Sequence, residues 1–304
     1  MTTVLYLVSL FPFFILHWIS NFLFLVIYHV IGYRRKVVQE NLLRSFPNET
    51  SKWRKQVEKI FYRNFCDLMV ETIKTSTISK EELLSRCKFT THENARQWFH
   101  ARANMDGISS HLANWEWMAL ATGIELPFDC YVVYKPLSSP RMNQFIIKSR
   151  GRFGLKLVPI KGVRTFFETP HEKPYLLGLL SDQAPHDYSR AFEVEFLNQK
   201  TYYVPGPGLL AVKYELTPCW GWMRRVGRSR FEWGIDPVLP DTSVALTSDE
   251  SAQIARIAKA HDVTLAASEQ GYRLVKEYSR LLEIKIKMAP ADWLWSHRRW
   301  KSRS

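Results

Sequence analysis

The chain has 304 residues, 46% of them hydrophobic and 14% aromatic, enough to build a sizeable core. This excludes a disordered chain and a small disulfide-stapled scaffold. Lys and Arg number 42 against 29 Asp and Glu, a formal charge of +13 that suits anionic partners. Cys66, Cys87, Cys130 and Cys219 are far apart and form no CxxC pair, so they are expected as free thiols in a reducing compartment.

Val4 to Tyr33 contains no Asp, Glu, Lys or Arg. The run exceeds the roughly 20 apolar residues that a spanning helix needs. It also lacks the basic start and small-residue cleavage site of a secretory signal. Residues 1–33 are therefore expected to form a retained membrane-anchoring helix, although Pro12, His17, Asn21 and His29 interrupt its apolar character. Arg34, Arg35 and Lys36 follow, and the positive-inside tendency places them, with residues 34–304, on the cytoplasmic side. The alternative to a span is a hairpin broken near Pro12, lying in one leaflet with its basic flank on the headgroups.

Beyond the anchor, Gln39 to Lys74 carries Trp53, Val57, Ile60, Phe61, Phe65, Leu68 and Met69 at three- and four-residue steps, which predicts two helices separated near Pro47. Short apolar runs then alternate with helical stretches: Met105 to Ser109, Trp115 to Thr122, Cys130 to Tyr134, Met142 to Phe153, Leu155 to Ile160, Val163 to Glu168 and Tyr175 to Leu180. A late amphipathic helix spans Gly271 to Met288. This order predicts an α/β fold, a mixed sheet flanked by helices, with residues 34–304 as one domain behind the anchor. Neither a repeat nor a low-complexity linker interrupts it.

Chemistry concentrates at Gly107-Ile-Ser-Ser-His111-Leu-Ala-Asn114-Trp-Glu116. A strand enters a polar turn and Asn114 caps the following helix. His111 and Glu116 would lie about 140° apart on one helix, so they meet only through that turn. In this arrangement Glu116 would accept the proton of one ring nitrogen and leave the other as a general base. The plainer alternative is that Glu116 complements the helix N-terminus and His111 satisfies a turn. There is no GxSxG elbow for an acyl-serine enzyme and no HExxH-type metal pair, so neither a metal nor another cofactor is expected.

The sequence His111-Leu-Ala-Asn-Trp-Glu116 resembles the His-x4-Glu motif of the lipid A biosynthesis acyltransferases of lauroyl and myristoyl type, within the lysophospholipid and glycerolipid acyltransferase superfamily. Further blocks agree in order: Tyr33 to Leu42 after the anchor, Val133-Tyr-Lys135-Pro136-Leu, Ser149-Arg150-Gly-Arg152, Leu180-Ser-Asp182-Gln183, and Met288 to Lys301 at the carboxy-terminal end. The resemblance implies transfer of an acyl chain from a thioester, on acyl carrier protein or CoA, to a hydroxyl of a lipid A precursor at the cytoplasmic face of the inner membrane. His111 would be the base and Glu116 its partner. Asn114, Lys135, Arg150, Arg152 and Asp182 would contact substrate.

Each contact has an ordinary counterpart. Arg150 and Arg152 fit either a substrate phosphate or oxyanion, or an exposed basic helix end. Lys135 stands where the family has Arg, and without the planar fork it could simply cap an edge strand. Asp182 fits an acceptor's hydroxyl or an ordinary turn. Tyr202 to Gly208 departs from the family's Thr- and Gly-containing stretch, which leaves a lysophospholipid or aminolipid open as acceptor. A non-catalytic membrane-bound scaffold is the alternative of another class. The run His297-Arg298-Arg299-Trp300-Lys301-Ser-Arg303 is basic and aromatic. With no nucleic-acid motif beside it, it is expected to face anionic lipid or acidic acyl carrier protein rather than nucleic acid.

Overall fold

A computed structural model describes residues 2–300. The helices α1 (Thr2–Ser9) and α2 (Phe13–Phe24), the latter running on as a π-helical segment (Leu25–Ile31), precede α3 (Arg35–Ser45) and α4 (Ser51–Lys74). Then come α5 (Lys80–Arg86), β1 (Cys87–Phe89), α6 (His92–His100), β2 (Met105–Ser109), α7 (Trp115–Glu125), β3 (Asp129–Tyr134), α8 (Pro140–Arg150), β4 (Lys156–Pro159), α9 (Val163–Glu168) and β5 (Tyr175–Leu180). The chain continues through β6 (Phe192–Phe196), β7 (Gln199–Tyr203), α10 (Gly206–Lys213), β8 (Thr217–Gly227), β9 (Arg230–Pro237), α11 (Ser248–His261) and α12 (Leu265–Met288).

Seven strands form one mixed sheet in the order β1-β9-β8-β2-β5-β3-β4; all neighbours are parallel except β8 and β9, and β6 and β7 pair separately. The α/β fold expected from the sequence is thus present. The carboxy-terminal ends of β2, β5, β3 and β8 share one edge, where polar turn residues can be exposed without breaking the sheet. One apolar cluster fills the α7 side of the sheet, with Met105, Trp117, Leu120, Phe231 and Trp233, and a second fills the α12 side, with Ile108, Tyr203, Tyr278, Leu282 and Trp295. Gly208 of α10 packs directly on Gly271 of α12, and a Cβ at Gly208 would lie 2.4 Å from the Gly271 carbonyl oxygen. Of the two glycines in the Tyr202–Gly208 stretch, Gly208 is therefore required by helix packing, whereas a Cβ at Gly206 would meet open space.

Helix limits follow local capping. Thr50 accepts from the Trp53 amide and starts α4 after the Pro47 break, and Thr264 accepts from Ala267, so α12 begins six residues before Gly271. At the other end of the chain, α2 lies along α4. Ser20 Oγ donates to Asp67 Oδ1 at 2.6 Å, while Lys74 Nζ donates to the Ser9 and Phe11 carbonyls at 3.1 and 3.0 Å. The four cysteines are free and buried.

The carboxy-terminal basic run differs from its expected surface role. Arg299 is buried with its guanidinium 4.4 Å from the Tyr203 ring centroid, and Trp300 Nε1 donates to Thr201 Oγ1 at 2.7 Å. His297 Nε2 accepts from the Ala184 amide at 3.1 Å. Of His297 to Trp300, Arg298 alone is exposed, and Lys301 and Arg303 lie outside the described residues. Planar guanidinium and indole groups stack well, so this segment forms packing as much as surface.

Candidate active site

Strand register builds the centre. Ser109 of β2 is paired with Leu180 of β5, so two residues further on, His111 and Asp182 stand side by side at the sheet edge. His111 Nδ1 lies 2.7 Å from Asp182 Oδ1, and the His111 backbone N–H donates to Asp182 Oδ2 at 2.9 Å. Trp293 Nε1 donates to the same Oδ2 at 2.8 Å. A carboxylate can only accept, so Nδ1 carries the proton and the Nε2 lone pair faces outward. The Gln183 amide nitrogen is 3.2 Å from Nε2.

The turn is clamped from the far end of the chain. Leu112 bridges Trp293, the Ala113 amide donates to the Asp292 carbonyl at 2.8 Å, and the Leu294 amide donates to the His111 carbonyl at 3.2 Å. Ala113 holds a left-handed φ of 53°, which turns the chain into α7. Behind the turn, Tyr278 donates to the Ser109 carbonyl at 2.8 Å.

Burial is the strongest influence on His111 and opposes its charge. The Asp182 charge and hydrogen bond, assisted by Glu116, together outweigh it, so His111 titrates above its ordinary 6.5. Burial also weighs most on Asp182 and favours its neutral form. The His111 charge with the bonds from His111 and Trp293 reverses that and holds the acid below its ordinary 3.8. The pair therefore favours imidazolium facing carboxylate once a proton arrives.

The expected bond between His111 and Glu116 is absent. Glu116 in the first turn of α7 points toward α8 and takes two bonds from Arg150, Nε to Oε2 at 2.8 Å and Nη2 to Oε1 at 2.6 Å. It reaches His111 only as a nearby charge. The reason is topological: β5 delivers Asp182 directly beside the imidazole, and α7 carries Glu116 away from it. Arg150, expected at a phosphate or oxyanion, gives two of its donors to Glu116, and its side chain remains 24% exposed at the edge of the groove described below.

Asn114, expected to touch substrate, is fully buried and uses its amide inside the fold. Its Oδ1 accepts from the Trp117 amide at 3.0 Å, capping α7, and its Nδ2 donates to Glu71 Oε2 at 2.8 Å. Arg152 likewise points elsewhere, donating to the Thr75 carbonyl at 2.7 Å beyond the end of α4. Lys135 is exposed in the loop after β3, on the same sheet edge as His111. Sequence reasoning did not assign roles to Trp293 and Gln183, although both lie within the quoted motifs, or to Glu71, which receives Ser229 Oγ at 2.8 Å beside Asn114. A glutamate on the buried stripe of α4 was the available signal for Glu71.

An apolar groove runs beneath α7 from this centre. Trp115, Glu116, Arg150 and Leu180 stand at its His111 end, and Met118, Leu176, Gly178, Gly221, Trp233 and Ile235 line it further in. Crossing from β5 to β9 traverses three strand spacings, roughly 14 Å. Gly107 and Gly178 are paired on β2 and β5. A Cβ at Gly107 would meet Leu176 Cδ2 at 2.9 Å, so the strands keep this face thin. Among the described residues no group of three or more His, Cys, Asp and Glu is placed to hold a metal ion.

The chain matches the family model described as bacterial lipid A biosynthesis acyltransferase over residues 1–302. A search of curated proteins found no match.

Proposed function

Because the chain belongs to the bacterial lipid A biosynthesis acyltransferase family and is an acyltransferase, we propose that it moves a fatty acyl chain from a thioester to a hydroxyl of a lipid A precursor, with His111 as general base. The single observation that carries this reading is the Asp182–His111 pair with its outward Nε2 at the head of an apolar groove.

In this mechanism the acyl chain lies in the groove, with its thioester at the His111 end and its methyl end toward Trp233 and Ile235. Nε2 takes the acceptor's hydroxyl proton as the oxygen attacks the thioester carbon. The carbon–sulfur bond breaks, and the departing sulfur takes the proton from the imidazolium. Asp182 fixes the tautomer and stabilises the imidazolium in between. The Gln183 amide, already beside Nε2, and the uncommitted donors of Arg150 are available where negative charge develops on the carbonyl oxygen. No acyl-enzyme is required.

The donor is acyl carrier protein or CoA; the net charge of +13 favours encounter with the acidic carrier. The acceptor hydroxyl approaches from the inner membrane, with the catalytic domain on its cytoplasmic side. Purified protein should be assayed with acyl carrier protein and CoA carrying lauroyl to palmitoyl chains, against a lipid A precursor and a panel of lysolipids. Transfer to the precursor that disappears in His111→Ala is the expected result. His111-dependent transfer only to a lysolipid would move the acceptor, and equal transfer without His111 would overturn the mechanism.

A further inference from the structure

The apolar N-terminal segment has two faces with different partners. On one, Phe13, Leu16, Ser20 and Phe24 of α2 are buried at three- and four-residue steps against the body. On the other, Phe14, Trp18, Phe22 and Leu25 repeat the same spacing and are 55–77% exposed, and Val4, Leu7 and Phe11, ahead of the break at Pro12, are 42–60% exposed. The polar residues that dilute the run belong to the body. Ser20 bonds Asp67, Asn21 Oδ1 and the His17 carbonyl accept from Arg228 Nη2 at 2.9 and 3.2 Å, and His17 Nε2 lies 2.8 Å from Ser229 Oγ.

This attachment runs the length of the helix, antiparallel to α4. Near one end Lys74 holds the Ser9 and Phe11 carbonyls; beyond the other, Tyr62 donates to the Tyr33 carbonyl at 2.5 Å. The helix Phe13–Ile31 has 19 residues, long enough to cross a bilayer only if it stands upright. Standing upright would carry α4 into the hydrocarbon beside it, with exposed Lys59 and Arg63 and the ion pair of Arg228 with Asp67, at a large solvation cost. Lying flat carries no such cost. It places one apolar stripe in the acyl region and leaves Arg34, Lys36, Lys59 and Arg63, all exposed, available to anionic headgroups.

We propose that α1, α2 and the π-helical segment form an in-plane seat on a single leaflet of an anionic phospholipid bilayer, so that residues at the start of the chain remain on the same side as the catalytic body. The inference rests on the membrane location proposed above and not on the acyl transfer. The seat also explains where the acyl groove begins. Helix α1 packs against α8, and Arg150 at the end of α8 stands at the groove, so the groove opens beside the lipid surface.

The test uses the full chain in sealed vesicles of phosphatidylethanolamine and phosphatidylglycerol. The four native cysteines are buried, so single cysteines introduced at exposed positions report selectively. Thr3→Cys and Lys259→Cys should react with an impermeant maleimide from the same side. Fluorophores attached at Leu10→Cys, Trp18→Cys and Leu25→Cys should be quenched by nitroxide lipids at one common, shallow depth. Labelling of position 3 from the side opposite position 259, or a depth that increases steadily from residue 10 to residue 25, would overturn the seat in favour of a span. Disulfide-linked dimers through Trp18→Cys with no lipid quenching would overturn it in favour of a second copy covering the stripe. Neither readout involves acyl transfer, so a failed substrate assay and a failed seat are distinguishable.

Discussion

Two carboxylates border the site, and they are held in different ways. Asp182 is buried, arrives on a strand adjacent to that of His111, and accepts three protein hydrogen bonds. Glu116 stands at the groove edge on α7 and is committed to Arg150 in a forked pair that water still reaches. The contrast shows that proximity in sequence is a poor guide to which acid serves a histidine. A carboxylate that must fix a tautomer needs a backbone on either side that cannot move, and adjacent parallel strands supply it.

Replacing His111 by Ala removes the proposed base and should lower transfer by about 10³-fold or more, measured as initial rate, with folding by circular dichroism unchanged. Asp182→Asn should cost ~10²-fold, because an amide can hold the wrong tautomer. It should also move the acid limb of the pH–rate profile. In the proposed mechanism neutral Nε2 is the active form, and His111 titrates above 6.5, so activity should rise with pH through a midpoint above that value. Removing the Asp182 charge lowers the His111 pKa, and the limb shifts to lower pH even as the rate falls.

Glu116→Gln tests the other half of the comparison. It should reduce transfer by roughly tenfold through the loosened Arg150 and move the acid limb only slightly downward, since Glu116 acts on His111 through space. A shift as large as that of Asp182→Asn would assign the two acids equal parts in holding the imidazole. Gly221→Val should be milder still for short chains. A Cβ at Gly221 meets only ordinary contacts with Ser109 and Met118 at 3.6–3.8 Å, but the added methyls enter the groove. Competition between lauroyl and palmitoyl donors should therefore tilt a few-fold toward the shorter.

The smallest effect concerns stability. Asp106 is fully buried on β2, neither carboxylate oxygen has a partner, and burial raises its pKa well above 3.8. The unfolded chain ionises this acid as pH rises and the folded chain resists, so the residue costs stability increasingly toward neutral pH. Asp106→Asn should raise stability by about 1 kcal/mol at neutral pH and flatten its pH dependence, read by thermal melts across the acid range.

The strand at Met105 to Ser109, the turn at His111 and the Asn114 cap were legible because each rests on local pattern: an apolar run, then a polar turn, then a capping side chain. Asp182 was legible as a carboxylate at a strand end. Its partnership with His111 was not, because it depends on β5 lying next to β2 in a register set by tertiary pairing across 71 residues. Glu116 was favoured for the converse reason, since a five-residue offset is visible in one dimension and the direction of α7 is not. The long hairpin of β8 and β9 and the small pair β6 and β7 were not predicted; Trp220, Trp222 and Trp233 there are consistent with either helix or strand until a partner is known. The same limit applies at Arg299, where neighbouring charges suggested surface and the planar group packs on Tyr203.

The clamp by residues 292–294 on the His111 turn has a consequence for timing during synthesis. Synthesis reaches Trp293 about 260 residues after it completes the apolar helix at Phe13–Ile31. At about 5–20 residues per second the interval is on the order of tens of seconds. Throughout it Asp182 lacks the indole N–H and the turn lacks its backbone partners. The nascent chain therefore carries its apolar helix well before the His111 turn is clamped, and the order of the sequence itself makes the completed turn one of the last parts of the fold to form.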